Sequence, residues 1–299
     1  MRWTLDPKVD LVFNLLFGAE RNRGLLIQLL NDVLRPASPV VSVEVLPPRV
    51  DPTGVEAKEI FLDLRARLAS GEQIDVEMQA RRHMALRPRF LFYWARLYTS
   101  QLERGAPYAS LQRCAVILIA DFVELESSEF HSVFQARERT RHELLTDHLE
   151  LHLLELPKLK DAVAGADEPE LAAWCRFLSA ETDDQLTTLA MQHPILKDAK
   201  DALDQLSADP EAREQARRRA DELALYQYGA QLTRAEGRAE GRAEGIVEGS
   251  RRFVKQLLSV KFGALPAEAA ARLDAGSEAD LAQWAVRILT AKTLDEVFA

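Results

Sequence analysis

EIFLDLRARLASGEQIDVEMQ, residues 59–79, is the stretch on which the fold turns. In its first half Ile60, Leu62, Leu64, Ala66 and Leu68 alternate with Phe61, Asp63, Arg65 and Arg67. In its second half Ile74, Val76 and Met78 alternate with Asp75, Glu77 and Gln79. A period of two predicts two strands. Ala69-Ser70-Gly71 between them suits a three-residue hairpin loop, a type I turn closed by a left-handed glycine. If Leu68 faces Glu72, paired residue numbers keep a constant sum along the ladder and Asp63 falls opposite Glu77, about 5 Å away at Cβ. Gln79 projects from the same face. A two-residue loop would put the two acids on opposite faces.

Two readings of this face follow. Carboxylates set where a strand would otherwise read as core are costly unless something cationic sits between them; Asp63 and Glu77 are close enough to share one divalent ion through oxygen ligands. The plainer reading is a solvated sheet face of mixed polar residues. Against the plainer one, Phe61 shares the face, and the basic stretch that follows must pack somewhere on this sheet.

Working outward, Asp6-Pro7 predicts a helix start, an N-cap with proline at the first helical position. Val9, Val12, Phe13, Leu16 and Phe17 continue it, and a second helix runs from about Gly24 to Leu34, before Pro36. VVSVEVL is a further strand, a helix spans about Pro88 to Arg104, and LQRCAVILIADF reads as a buried strand. The order helix, three strands, helix, strand predicts an α/β fold, a mixed sheet covered by helices. Strand-like runs recur at SVFQARE and DHLELHLLEL. In the latter, His148, Glu150 and His152 would share a face, which suits either a transition metal or a polar strand surface.

A chain of 299 residues, 47% hydrophobic, can bury one large core with an appended part. The N-terminus lacks a signal-peptide pattern and no run reaches the length of a membrane span, so a cytoplasmic protein is expected. Cys114 and Cys175 belong to no motif and read as reduced and structural. A net charge of −9 argues against wholesale attraction to nucleic acid, yet Arg81, Arg82, Arg87, Arg89, Arg96 and Arg104 lie in a stretch whose one acid is Glu103. That local excess suits either phosphate binding or a solvated helix face.

Beyond Pro157 the sequence turns helical, with one long stretch from about Glu211 to Phe262. Within it Glu236-Gly237-Arg238-Ala239 recurs as Glu240-Gly241-Arg242-Ala243, then Glu244-Gly245 and Glu248-Gly249. Four-residue spacing keeps these glycines on one slowly drifting helix face. At about 1 kcal/mol per glycine relative to alanine, such a stripe marks a weak spot or a smooth face for close helix approach, and homo-oligomerisation through the helical tail is expected. The predicted domains are 1–160, a helical region 161–230, the glycine-repeat helix 231–252 and a small helical unit 253–299. No glycine-rich loop here follows a strand to open a nucleotide site.

With Asp63, Glu77 and Gln79 placed on a hairpin in this order of elements, the chain resembles the PD-(D/E)xK nuclease superfamily, and more narrowly the Rpn group of recombination-promoting nucleases and transposase-like proteins. The likeness runs from about Pro7 to Lys158. It is carried by Lys8-x-Asp10-x-x-Phe13 with Leu16-Phe17, Asp63, Val76-Glu77-Met78-Gln79, Arg96-Leu97-Tyr98 with Gln101, Gly105 and Tyr108, and Glu155-Leu156-Pro157-Lys158. The resemblance implies a restriction-endonuclease-like core and a DNA endonuclease dependent on Mg²⁺, with Mn²⁺ as a substitute, linked to recombination or mobile elements. It implies that Asp63 and Glu77 bind the metal, that Asp10 is a third acidic contributor, and that Gln79 stands in the catalytic set where the wider superfamily has lysine. Many relatives also have lysine where this chain has Asn14. Arg81, Arg82, Arg87, Arg89 and Arg96 would hold the DNA backbone. The alternative is a catalytically silent DNA-binding or self-associating protein on the same fold, with Gln79 marking the loss.

Overall fold

The computed structural model describes residues 4–47, 49–50, 60–61, 63–82, 84–159 and 165–299; the side chains of residues 49, 50, 60, 61, 223, 226–228, 230–236, 239–240 and 243 lie outside that description. The expected place of Phe61 on the acid face falls there, as do those of Glu236, Ala239, Glu240 and Ala243 in the repeat. The chain forms two compact units, residues 1–220 and 221–299.

The first unit begins with α1 (Asp10–Phe17) and α2 (Arg23–Leu34). Asp6-Pro7 does not start α1: the Asp6 carboxylate accepts from the Lys8 amide and its carbonyl from the Val9 amide, so these residues form a turn ahead of the helix. A short side chain that bonds two residues on closes an Asx turn as readily as it caps a helix. Then come β1 (Val43–Leu46), the two-residue strands β2 (Arg49–Val50) and β3 (Ile60–Phe61), β4 (Leu64–Leu68) and β5 (Gln73–Gln79). They lead to α3 (Leu86–Thr99), β6 (Cys114–Ala120), β7 (His131–Phe134) and β8 (Leu149–Glu155). α3 stops short of the expected Arg104 because the hydroxyls of Thr99 and Ser100 bond back to carbonyls of its last turn.

Six strands form one sheet in the order β1-β4-β5-β6-β8-β7. The β4–β5 hairpin has the register expected from its loop: Leu64 pairs with Val76 and Ala66 with Ile74, the Leu68 amide donates to the Glu72 carbonyl, and Gly71 has φ 91°. Alanine at Gly71 would strain that left-handed turn, so Gly71→Ala is expected to cost about 1–2 kcal/mol. An unchanged urea midpoint would refute this origin of the register.

β5 and β6 run parallel, and a parallel pair needs a crossover. α3 is that crossover. Leu86 and Phe90 of α3 pack on Val116, Leu118, Leu151 and Leu153 on one face of the sheet. On the other face, Ile74, Val76 and Met78 join Val12, Phe13 and Phe17 of α1 and Trp174 and Phe177 of α4 (Pro169–Ser179). α5 (Asp183–Gln192), α6 (Pro194–Ala208) and the start of the 53-residue helix α7 (Pro210–Phe262) complete this unit. Cys114 and Cys175 are buried free thiols, pushed up by burial to about 12 in the first case and well above the usual range in the second.

The second unit is helical. α8 (Ala267–Ala275), α9 (Glu278–Thr290) and α10 (Leu294–Phe298) enclose Leu273, Leu281, Trp284, Ile288 and Phe298 with Val254 and Leu258 of α7. A Cβ at Gly237, Gly241, Gly245 or Gly249 would meet nothing within 4 Å. Among the described residues, no helix is long and apolar enough to cross a membrane.

Candidate functional site

The alternation of β5 aims Gln73, Asp75, Glu77 and Gln79 at α3, and because α3 covers that face, what reads in sequence as a polar surface is buried. Asp75 is 0% and Glu77 1% exposed.

Asp63 sits at the edge of β4 and is joined to Glu77 reciprocally. Its amide donates to Glu77 Oε1 at 2.9 Å, and its Oδ2 accepts from the Met78 amide at 2.9 Å. From the opposite side, the Asn14 side chain of α1 donates to the Asp63 carbonyl. One oxygen of each acid is thus committed to backbone, and among the described residues these bonds leave Asp63 Oδ1 and Glu77 Oε2 for another partner. Burial pushes the Glu77 carboxyl up to about 8, the Asp63 charge adding to it; burial likewise raises Asp63 to about 6, helped by Asp10 and opposed by the Met78 amide. Two acids held together in a dry setting cannot both ionise cheaply without a cation.

Asp10 is the first residue of α1, where a negative charge suits the helix dipole. It acts on Asp63 electrostatically, but its carboxylate is gripped by Arg219 of α7. That pair spans 209 residues of sequence, and no local signal could have found it. Gln79 closes β5 and lines a small void of about 10 Å³ with Glu77, Leu86, Arg89, Phe90, Tyr93 and Leu118. A larger groove, about 360 Å³, lies between α2 and α6 and includes none of these acids.

The five arginines occupy separate settings. Arg81 is exposed. Arg82 and Arg87 both clamp Glu124, at 2.8 and 2.7 Å, while their side chains stay largely in solvent. Arg96 is 9% exposed and so largely withdrawn from solvent. Arg89 faces the acids, its Nε donating to the Tyr93 hydroxyl.

Asp75 is a further acid at this site. It pairs with Arg65 in the ladder, its two oxygens have no hydrogen bond among the described residues, and burial first, then the charges of Glu77 and Asp63, push its carboxyl well up. The signal was its i, i−2 relation to Glu77; what hid it is that sequence does not show α3 covering the face.

His148, Glu150 and His152 do not converge. His148 lies just before β8 and bonds the Tyr98 hydroxyl of α3 at 2.8 Å. Glu150 and His152 project from the opposite face to Leu151 and Leu153, and there His152 bonds Glu150 and His131. Strand alternation does not extend to a residue outside the strand.

Among the described residues, no three His, Cys, Asp or Glu side chains form a metal cage. The Asp63–Glu77 pair still fits a hard divalent ion: it offers oxygen donors only, and Mg²⁺ is held by one or two carboxylates with water and substrate phosphates completing the shell.

A family model described as PD-(D/E)XK nuclease family transposase matches residues 7–228. No curated protein and no solved structure matches the chain.

Proposed function

Because the chain belongs to the PD-(D/E)XK nuclease family transposases, we propose that it is a divalent-metal-dependent DNA endonuclease whose metal is held by Asp63 and Glu77. The single observation that carries this reading is the reciprocal Asp63–Glu77 pair, a buried carboxylate and a half-buried one tied together through each other's backbone amides. A divalent ion bound there supplies Lewis-acid polarisation of the phosphate and lowers the pKa of a water.

The side chains act around that chemistry. Asp63 and Glu77 bind through the oxygens not used by backbone amides, and Asn14 fixes the Asp63 backbone. Gln79 orients the attacking water by hydrogen bonding but cannot serve as its base, so the proton passes to substrate phosphate or solvent. Asp10, pinned by Arg219, adds negative charge near Asp63. Arg81, Arg82 and Arg87, with exposed side chains, hold the phosphate backbone, giving affinity that falls steeply with salt and carries little sequence information.

The test is nicking of supercoiled DNA by the full chain in Mg²⁺ or Mn²⁺ and its loss in chelator. Salt-sensitive DNA binding without turnover in either ion would move the conclusion to the silent DNA-binding reading, which the absent lysine at position 79 favours.

Metal binding must also be linked to pH. Both carboxyls have raised values, about 6 and about 8, and the ion takes their deprotonated forms. Affinity for Mn²⁺ should therefore rise from about pH 6 to about pH 8.5 with protons released on binding. Calorimetry in two buffers of different ionisation enthalpy measures this; affinity flat across the window would refute the ligand assignment.

A further inference from the structure

We propose that Arg89, steadied by Tyr93, supplies at the acid pair the positive charge that the side chain of Gln79 lacks, and that it contacts the phosphate being cleaved. The proposal rests on the nuclease reading above and goes beyond it by separating Arg89 from the arginines that only hold the DNA backbone.

Arg89 lies in the first turn of α3, on the side facing β5. Its Nε donates to the Tyr93 hydroxyl one helical turn on, and its guanidinium carbon stands 5.1 Å from the Tyr93 ring centroid. Tyr93 is itself buried, at 9% exposure, so the hydroxyl is a fixed anchor. Arg89, Tyr93, Glu77 and Gln79 line the same void of about 10 Å³, so the cation, the acid and the lysine-less position share one wall. Among the described residues, Nε makes the only side-chain hydrogen bond of Arg89, which leaves the two terminal nitrogens as a fork of donors. Arg82 and Arg87, by contrast, share the carboxylate of Glu124 and line no part of this void. The positive charge of Arg89 also opposes the upward shifts of Asp63, Asp75 and Glu77.

A planar fork suits two phosphate oxygens at once, as a glutamine amide does not. Aimed where negative charge grows in the transition state, and held by Tyr93 before substrate arrives, it acts without reorganisation at the moment of reaction. Arg89 is then a catalytic residue and Tyr93 a positioning residue.

The test uses full-length Arg89→Met, Arg89→Lys and Tyr93→Phe proteins, with kcat and KM on supercoiled DNA in Mn²⁺, DNA affinity at two salt concentrations and calorimetric Mn²⁺ affinity. Arg89→Met should lower kcat about 10²–10³-fold and leave KM and the salt slope nearly unchanged. Because a positive charge leaves the neighbourhood of the carboxylates, it should also bind Mn²⁺ several-fold more tightly. Arg89→Lys should recover part of kcat yet stay about tenfold below wild type, and it decides the matter if Arg89→Met does not fold. Tyr93→Phe should lower kcat about tenfold at unchanged KM.

A raised KM and shallower salt slope with kcat intact would make Arg89 an ordinary backbone contact and overturn the proposal, as would wild-type kcat in Arg89→Lys. Wild-type protein that binds Mn²⁺ but cuts no DNA overturns the nuclease reading and this one together; wild-type cutting with Arg89→Met undiminished overturns this one alone.

Discussion

Replacing Glu77 with glutamine, or Asp63 with asparagine, is expected to abolish DNA cutting and at the same time to make the protein harder to unfold. Each amide keeps the shape of the acid and an oxygen able to accept the backbone bond now made, Asp63 amide to Glu77 and Met78 amide to Asp63. What each removes is a negative charge, buried at Glu77 and half-buried at Asp63. Metal charge stabilisation is worth several kcal/mol in the transition state; a loss of about 4 kcal/mol, at about 1.4 kcal/mol per tenfold, is a fall of about 10³-fold in kcat/KM.

The sign for stability is opposite. Folding raises the Glu77 carboxyl from its ordinary 4.5 to about 8, so the folded state holds its proton more tightly than the unfolded chain does. Wild-type stability therefore falls as pH rises through that interval, and the cost of the ionised form is fully present above it. Glu77→Gln should thus be more stable than wild type at about pH 8.5, by about 1–3 kcal/mol, and gain little at about pH 4. Such an opposition between stability and activity is common where a site is strained for function. The measurement is a pair of urea titrations at the two pH values beside a nicking assay. A variant that cuts within tenfold of wild type would sink the assignment; one that loses activity but is equally destabilised at both pH values would show a structural role instead.

The largest loss of stability is expected at Glu155, the last residue of β8. Its carboxylate is 0% exposed. One oxygen accepts from the Glu124 and Leu125 amides at 2.6 and 3.0 Å, and the other meets the Lys158 ammonium, itself only 8% exposed. Removing one member of a buried pair leaves the other charge uncompensated, a cost of about 3–5 kcal/mol. For Glu155→Ala that is about 10 °C in the melting temperature of a unit this size. Glu155→Gln should cost less because a neutral oxygen can still accept the two amides, and Lys158→Met should recover part of the loss in the Ala background because no stranded cation remains.

The same residue reaches toward the site. The segment it fixes carries Glu124, the common partner of Arg82 and Arg87, so DNA affinity should fall with stability. A melting temperature within about 2 °C of wild type in Glu155→Ala, which at this size means less than about 1 kcal/mol, would remove Glu155 from the folding core. Its place in the Glu155-Leu156-Pro157-Lys158 stretch would then need another reason.

Much of the site was legible because it depends on short-range rules. Three residues of loop, Ala69-Ser70-Gly71, fix the register, and a period of two then decides which side chains share a face; Asp63 and Glu77 meet for no more elaborate reason. The family match over residues 7–228 agrees with the order of elements read from the same patterns. The start of α1 was less legible, because Asp6 can cap a helix or close a turn with the same oxygen, and the local sequence does not distinguish the two.

What the tertiary structure alone decided is the environment of that face. Whether Asp75, Glu77 and Gln79 lie in water or beneath α3 depends on where the crossover helix packs, and burial is the largest cause raising the two carboxyls among them, with the neighbouring acids adding to it. The Asp10–Arg219 pair closes across 209 residues, and the sorting of the arginines into Glu124 partners, a buried Arg96 and a site-facing Arg89 depends on α3 seated on the sheet. Periodicity along a strand therefore determines direction and neighbours within a hairpin. The dielectric around a side chain, and so its charge and chemistry, is set by atoms brought in from elsewhere in the chain.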